Sequence, residues 1–132
     1  MQPLATPTPA ERLDAARRLR RGLSISIGFA ACLWWIHILV ESLQLNFRGL
    51  GIRPGEMEGL VGIVFAPLIH GDWGHLAANT PALLILGTLL VYSYPRSWYW
   101  LVPLVWISSG LGVWLFGRPA VHFGASQYQE RG

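Results

Sequence analysis

Lysine is absent from this chain of 132 residues, and both cysteine and charged side chains are scarce. Only 13% of the residues are charged, against about 25% in typical soluble domains, while 52% are hydrophobic. The single cysteine, Cys32, excludes an internal disulfide and a cysteine-based zinc cluster, and its apolar surroundings predict a small buried side chain. This composition is typical of a membrane protein, and the length allows one domain at most.

All the positive charge is carried by arginine, and five of the ten arginines fall between Arg12 and Arg21. They lie directly before the first long apolar run. A polybasic segment in that position favours the cytoplasmic side of a membrane and anionic lipid. We therefore predict a basic cytoplasmic segment over residues 1–22. A basic segment can also indicate binding to nucleic acid, but the adjacent membrane span argues against that function.

Three apolar runs are long enough to cross a lipid bilayer. They cover residues 23–45, 73–94 and 98–116, and a helix of the first length spans roughly 30 Å. The first run is too long for a signal-peptide core, and no small-x-small cleavage site follows it. A fourth apolar stretch, Leu60–Ile69, is too short to cross and predicts a re-entrant segment. The predicted fold is an all-α polytopic transmembrane helix bundle with three full spans.

Two pairs of small residues four positions apart lie in the second and third spans. Ala78 and Ala82 form one pair, and Ser108 and Gly112 form the other. Small residues at this spacing let membrane helices approach closely. We therefore expect helix contacts at both faces.

Most of the polar chemistry of the chain lies between His70 and Thr80, where the second span begins. Asp72 can accept hydrogen bonds from the free N–H groups of the first helical turn. His75 and Asn79 are four residues apart and so share one helix face. Hydrogen-bonding side chains inside a membrane are costly unless they face a cavity or a partner. This stretch is therefore the predicted functional centre.

Two motifs in this order resemble the rhomboid family of intramembrane serine proteases. One is His-x-x-x-Asn, here His75 to Asn79, with His70 upstream. The other is Gly-x-Ser, here Gly124-Ala125-Ser126, which in the family enters a fourth helix from the outer side. A cytoplasmic N-terminus, a re-entrant segment and a tight turn between the second and third spans also match the family. The similarity covers roughly residues 20 to 126.

The resemblance implies a Ser–His dyad that cleaves a peptide bond in or near the transmembrane segment of a protein substrate. Ser126 would be the nucleophile, and His75, Asn79 and the backbone N–H of Ser126 would hold the oxyanion. The helix carrying Ser126 would add the partial positive charge of its N-terminus. No cofactor and no metal are implied. The expected location is the inner membrane of a bacterial cell, with the lipid bilayer and transmembrane proteins as partners.

The chain departs from the family pattern after the serine. Gln127 stands where the family has glycine, and the tail over residues 127–132 is polar. The fourth helix is therefore missing, as are the fifth and sixth, and the family's general base lies on the sixth. We thus expect residues 23–126 to be a truncated, partial rhomboid-like domain that is unstable in the membrane and inactive alone, since a serine without its base loses most of its catalysis.

Other roles for these residues stay open at the level of sequence. A non-catalytic pseudoprotease that binds membrane-protein clients would keep the same helices. His122, four residues before Ser126, is a candidate substitute base, although Gly124 between them favours a turn. His37 could pair with Glu41 on the first span. A haem protein using His37 and His75 is a third class, but it would need neither Asn79 nor the Gly-x-Ser motif.

Overall fold

A computed structural model describes residues 6–46, 48–118, 121–123 and 126–128, and for Arg48 and the last two ranges it describes the backbone alone. The described residues form four α-helices and two short strands: α1 Pro9–Ser42, α2 Leu60–Phe65, α3 Trp73–Ser93, α4 Trp98–Phe116, β1 Val121–Phe123 and β2 Ser126–Tyr128. Three single 3-10 turns also lie in the loops, at Arg48–Leu50, Met57–Gly59 and Ala66–Leu68.

Helices α1, α3 and α4 are each long and apolar enough to cross a membrane. The predicted all-α bundle with three spans is confirmed, and the paired strands β1 and β2 are a small addition at its end. Together α2 and the 3-10 turns beside it make the apolar helical segment Met57–Leu68. That segment is too short to span, as the sequence predicts.

The first helix begins well before the apolar run that predicted it. Thr8 caps its N-terminus by accepting from the backbone N–H of Glu11, whose carboxylate in turn accepts from the backbone N–H of Thr8. Pro9 at the first helical position reinforces this start, because its missing N–H would have had no partner there. Asp14 and Arg18 then form an ion pair one turn apart. The basic segment is therefore one continuous helix with the first span.

Helices α1 and α3 pack antiparallel along a stripe of mostly small residues. The buried positions of α1 recur every three or four residues: Gly22, Ser26, Ala30, Leu33 and His37. Near one end, Thr88 of α3 lies against Gly22 and its hydroxyl is 3.5 Å from that of Ser26. Near the other end, the ring of His37 meets the ring of Trp73. Small side chains in the stripe allow this close approach.

Helix α4 packs against α2 and the loop before it. Gly110 of α4 receives Ile63, whose side chain occupies the space a Cβ would need. The indole N–H of Trp106 donates to the Val64 carbonyl (3.2 Å), and that of Trp114 donates to the Glu56 carbonyl (2.8 Å). These two hydrogen bonds satisfy carbonyls at the end of α2 and in the loop before it that would otherwise be costly near lipid. The short apolar segment is thus held along α4.

Several small residues lie elsewhere than the sequence suggested. Cys32 is exposed on α1, so the prediction of a buried side chain is wrong. Ala78, Ala82 and Ser108 are exposed as well. The close approaches between helices occur instead at Gly22 and Gly110. Spacing alone does not say which of several small-residue faces meets a neighbour.

The last described part of the chain is an antiparallel pair of strands. Phe123 pairs with Ser126, and His122 pairs with Gln127. Strand β1 lies against the 3-10 turn Ala66–Leu68. Ser126 begins a strand here, so the helix N-terminus that the resemblance implies for the serine is not present at this position.

We expect Gly22→Leu to destabilise the α1–α3 pair by about 1–3 kcal/mol, because a Cβ at Gly22 would lie 2.7 Å from the carbonyl oxygen of Thr88. Thermal unfolding in mild detergent, followed by circular dichroism, measures the change. Gly28→Leu is the matched control, since nothing lies within 4 Å of a Cβ there. Equal unfolding midpoints for the two variants would contradict the proposed close contact.

Candidate functional site

The polar stretch between α2 and α3 folds around Asp72, the N-cap of α3. Its backbone is extended, and its carboxylate accepts from the backbone N–H of His75 at 2.8 Å. This bond satisfies one of the free donors of the first helical turn. Asp72 therefore sets where α3 begins and which way its first turn faces.

His75 and Asn79 contact each other on one face of α3, as their spacing predicts. The side-chain nitrogen of Asn79 lies 3.0 Å from Nε2 of His75. An amide nitrogen can only donate, so in this arrangement Nε2 of His75 accepts the hydrogen bond. One of the two amide N–H bonds of Asn79 is used in this contact, and the other can serve a ligand.

Two further histidines lie beside this pair. The rings of His70 and His75 are 5.6 Å apart between centroids, and His37 of α1 is near enough to act electrostatically on His70. His37 and His70 are 2% and 8% exposed. Nε2 of His37 and Nδ1 of His70 have no hydrogen-bond partner among the described residues. Three histidines thus meet where α1 ends and α3 begins.

Burial lowers the pKa of His70 below its ordinary value, and the nearby His75 and His37 lower it further. A backbone hydrogen bond at Leu68 and the Asp72 carboxylate act in the opposite direction, with smaller effect. A positive charge on a buried imidazole beside two other histidines is unfavourable. His70 is accordingly held neutral at neutral pH.

Aromatic side chains enclose the histidines from the side of α1. The His37 ring meets the Trp73 ring edge-on at 4.4 Å between centroids, and Trp34 lies 6.0 Å from Trp73. The indole N–H of Trp34 donates to the Thr80 hydroxyl at 3.0 Å, and that hydroxyl donates to the Leu76 carbonyl at 2.8 Å. The Trp34 indole and the Thr80 hydroxyl therefore both have their donors satisfied.

A cavity of about 300 Å³ opens between α1, α3 and α4 next to the histidines. His70, Asn79 and Thr80 supply its polar lining, and the rest of the wall is mostly apolar. A largely apolar pocket with a few convergent polar groups is the usual form of a ligand site. Asn79 is the member of the predicted pair that reaches it.

The other predicted site residue, Ser126, is described through its backbone only, and Gly124 and Ala125 lie outside the described residues. Its strand pairs with β1, which lies against the turn Ala66–Leu68, two residues before His70. His122 is likewise described through its backbone alone. The pairing of Ser126 with a histidine therefore stays a prediction.

Sequence reasoning missed the part of the site contributed by α1. Trp34 and Thr80 carry no motif, and only the fold brings them together. The sequence offers a signal for His37 alone, because a histidine inside an apolar helix needs a buried partner or a cavity. The expected pairing of His37 with Glu41 is not seen, since His37 is buried against Trp73 while Glu41 is exposed.

We expect the protein to lose stability as the pH falls below about 6.5, the ordinary pKa of histidine. The folded state holds the pKa of His70 below that value, so the unfolded state binds the proton more readily and acid favours unfolding. Stability should be level above pH 6.5. Unfolding midpoints between pH 5 and pH 8 in mild detergent test this, and His70→Gln should reduce the fall of the midpoint below pH 6.5. An equal fall of the midpoint in that variant would refute the assignment to His70.

Comparison with known proteins identifies the family of the chain. The family model described as the Rhomboid domain matches residues 57–129, more than half of the chain. Uncharacterized proteins of Mycobacterium bovis and Mycobacterium tuberculosis are 35% identical over 125 residues, covering 90% of this chain and 52% of each relative.

An uncharacterized protein of Mycobacterium leprae is 35% identical over 118 residues, which cover 87% of this chain and 47% of the relative. The chain therefore spans about half the length of the curated relatives it matches. No solved structure matches it. With the family match spanning the short helical segment, α3, α4 and the strand pair, this chain belongs to the rhomboid family of membrane proteins.

Proposed function

We propose that this chain carries half of the active site of an intramembrane serine endopeptidase. The observation that carries the proposal is the contact between His75 and Asn79 on one face of α3, with Asn79 lining an adjacent cavity. In this proposal Ser126 attacks the scissile carbonyl of a transmembrane substrate. His75, Asn79 and the backbone N–H of Ser126 hold the oxyanion that forms.

The electrostatics of such a site favour a preorganised donor set. Negative charge develops on the carbonyl oxygen as the serine attacks, and fixed donors away from water stabilise it. Asn79 keeps one N–H free while the other is held by His75. Asp72 fixes the helix turn on which both side chains stand. The donors are therefore positioned before the substrate arrives.

The general base is the part that this sequence does not supply in a recognisable place. A serine hydroxyl needs a base to take its proton. Three of the four histidines, His37, His70 and His75, cluster at the start of α3 and are committed to that site. The relatives are about twice as long as the region that this chain matches. We therefore propose that a segment corresponding to the unmatched half of the relatives provides the base histidine.

A non-catalytic role in binding membrane-protein clients is the second candidate. The observation in its favour is that His37, His70 and His75 all lie in the cluster at the start of α3, so none of them is left to act as the base. A client-binding pseudoprotease would use the same apolar surfaces without the chemistry. It predicts that clients co-purify with the chain whether or not Ser126 is intact.

The proposed location is the inner membrane of a bacterium, with the N-terminus in the cytoplasm. Mycobacterial relatives support the bacterial origin. The arginines at the start of α1, together with Arg96 in the α3–α4 turn, lie at the same end of the helices and favour the cytoplasmic side.

A chimera tests the catalytic proposal. Residues 1–126 of this chain are joined to the part of the Mycobacterium bovis relative that lies beyond the matched half, and cleavage of a transmembrane reporter is measured. We expect cleavage that Ser126→Ala abolishes, because the nucleophile is removed. Asn79→Ala should reduce kcat about 10²–10³-fold, as loss of one oxyanion donor does.

Two controls make that result interpretable. The intact relative shows whether the reporter is a substrate at all, and Leu89→Ala changes an exposed side chain farther along the same helix. If the relative cleaves the reporter and a folded chimera does not, the catalytic proposal is wrong. Retention of a client by both the chimera and its Ser126→Ala variant, without cleavage, would support the client-binding role.

Reporter fusions test the orientation. A fusion at the N-terminus should be active only as a cytoplasmic reporter, and a fusion after Arg118 only as a periplasmic one, because three spans place these positions on opposite sides. A fusion after Pro95, in the turn between α3 and α4, is the matched control and should be active only as a cytoplasmic reporter. The reverse pattern would overturn the proposed topology.

A further inference from the structure

A second polar site lies at the opposite end of the bundle from the histidines. A pocket of about 580 Å³ opens between the start of α1 and the turn that joins α3 to α4. Four arginines, one aspartate and one tyrosine supply most of its charged and polar lining, and it is called the arginine pocket here: Asp14, Arg17, Arg18, Arg21, Tyr94 and Arg96. None of these residues belongs to the proposed active site.

The arginine pocket has an uncompensated positive charge. Asp14 pairs with Arg18 at 2.6 Å. Arg17, Arg21 and Arg96 have no carboxylate partner among the described residues, so three of the four guanidinium charges are left over. Guanidinium groups bind phosphate oxygens in a fork of parallel hydrogen bonds. The charge and geometry therefore suit a phosphate or phosphodiester.

The start of α4 adds to this preference for an anion. Ser97, the N-cap of α4, lines the pocket, and its hydroxyl makes no capping hydrogen bond. The N-terminus of a helix carries a partial positive charge. The arginines are thus supported by a second element that favours negative charge at the same place.

An apolar cleft of about 400 Å³ continues from the arginine pocket along the helices. Val91 lines both spaces. The cleft runs between α1, α3 and α4, and its walls include Ile25, Leu90, Trp98 and Val102. A free phosphate would use only the basic part. A molecule with an anionic head and a hydrocarbon chain would fill both parts.

We propose that the arginine pocket and the apolar cleft together bind one anionic glycerophospholipid. The phosphodiester lies among Arg17, Arg21 and Arg96, and an acyl chain passes Val91 into the cleft. The arginines mark the membrane surface at this end of the bundle, which is where lipid phosphates lie. The bound lipid joins α1 to the α3–α4 turn, and the cleft that holds its chain borders the cavity beside Asn79, since Phe29, Leu83 and Leu86 line both.

The test measures lipid bound to the purified full-length chain in a neutral detergent, by native mass spectrometry. Phosphatidylglycerol and phosphatidylcholine with the same acyl chains are the probes. We expect one phosphatidylglycerol to bind in preference to phosphatidylcholine. Arg17→Gln with Arg21→Gln should weaken that binding more than tenfold, since each basic residue near the surface contributes about fivefold.

The matched control removes the same charge from the same helix outside the pocket. Arg12→Gln with Arg20→Gln does this, because both arginines are exposed on α1 and neither lines the pocket. We expect binding within about twofold of the unmodified chain. Equal losses in the two double variants would show diffuse attraction to a basic helix and would overturn the site.

A second pair of variants tests the apolar cleft. Val102→Trp should reduce phosphatidylglycerol binding by filling the cleft, while Val105→Trp, on the same helix but outside the cleft, should not. Glycerophosphoglycerol, the headgroup without chains, should compete poorly. If it or inorganic phosphate competes as well as the lipid, the site binds a soluble anion and the lipid proposal fails. Equal binding of the two lipids would also overturn it.

Discussion

The close antiparallel contact between α1 and α3 is the constraint on which the rest of the structure depends. Small residues at Gly22 and Ser26 let the α3 backbone approach within van der Waals distance at Thr88. In a membrane, where lipid is as apolar as the helices, such packing and interhelical hydrogen bonds replace the hydrophobic effect as the source of association. The same two helices are also joined by the Trp34–Thr80 hydrogen bond, which lies beside the polar site.

One consequence is that the polar site is shared by two helices. His75 and Asn79 stand on α3, while α1 contributes His37, which meets Trp73, and Trp34, which donates to Thr80. Burial lowers the pKa of His70, and His37 of α1 lowers it further. The site is therefore tuned by a helix that contributes no recognisable motif.

A second consequence is that the two ends of the bundle differ in chemistry. Because α1 continues as a helix from Pro9, its arginines are held rigidly beside Arg96 in the α3–α4 turn. Its other end meets the histidines. A flexible basic tail would interact with any acidic surface, whereas a helical one presents charges in a fixed arrangement. Helix α4, held by Ile63 in the space at Gly110, completes both ends.

The sequence by itself determined the three spans, the short helical segment and the placement of Asp72, His75 and Asn79, because apolar run length and four-residue spacing are local properties. It could not say which small-residue faces would meet: Ala78 and Ala82 are exposed, and Gly22 and Gly110 make the contacts instead. Nor could it place Trp34 and His37 at the site or join the arginines to the α3–α4 turn. Those placements depend on the rotation and offset of one helix against another, which only tertiary packing decides.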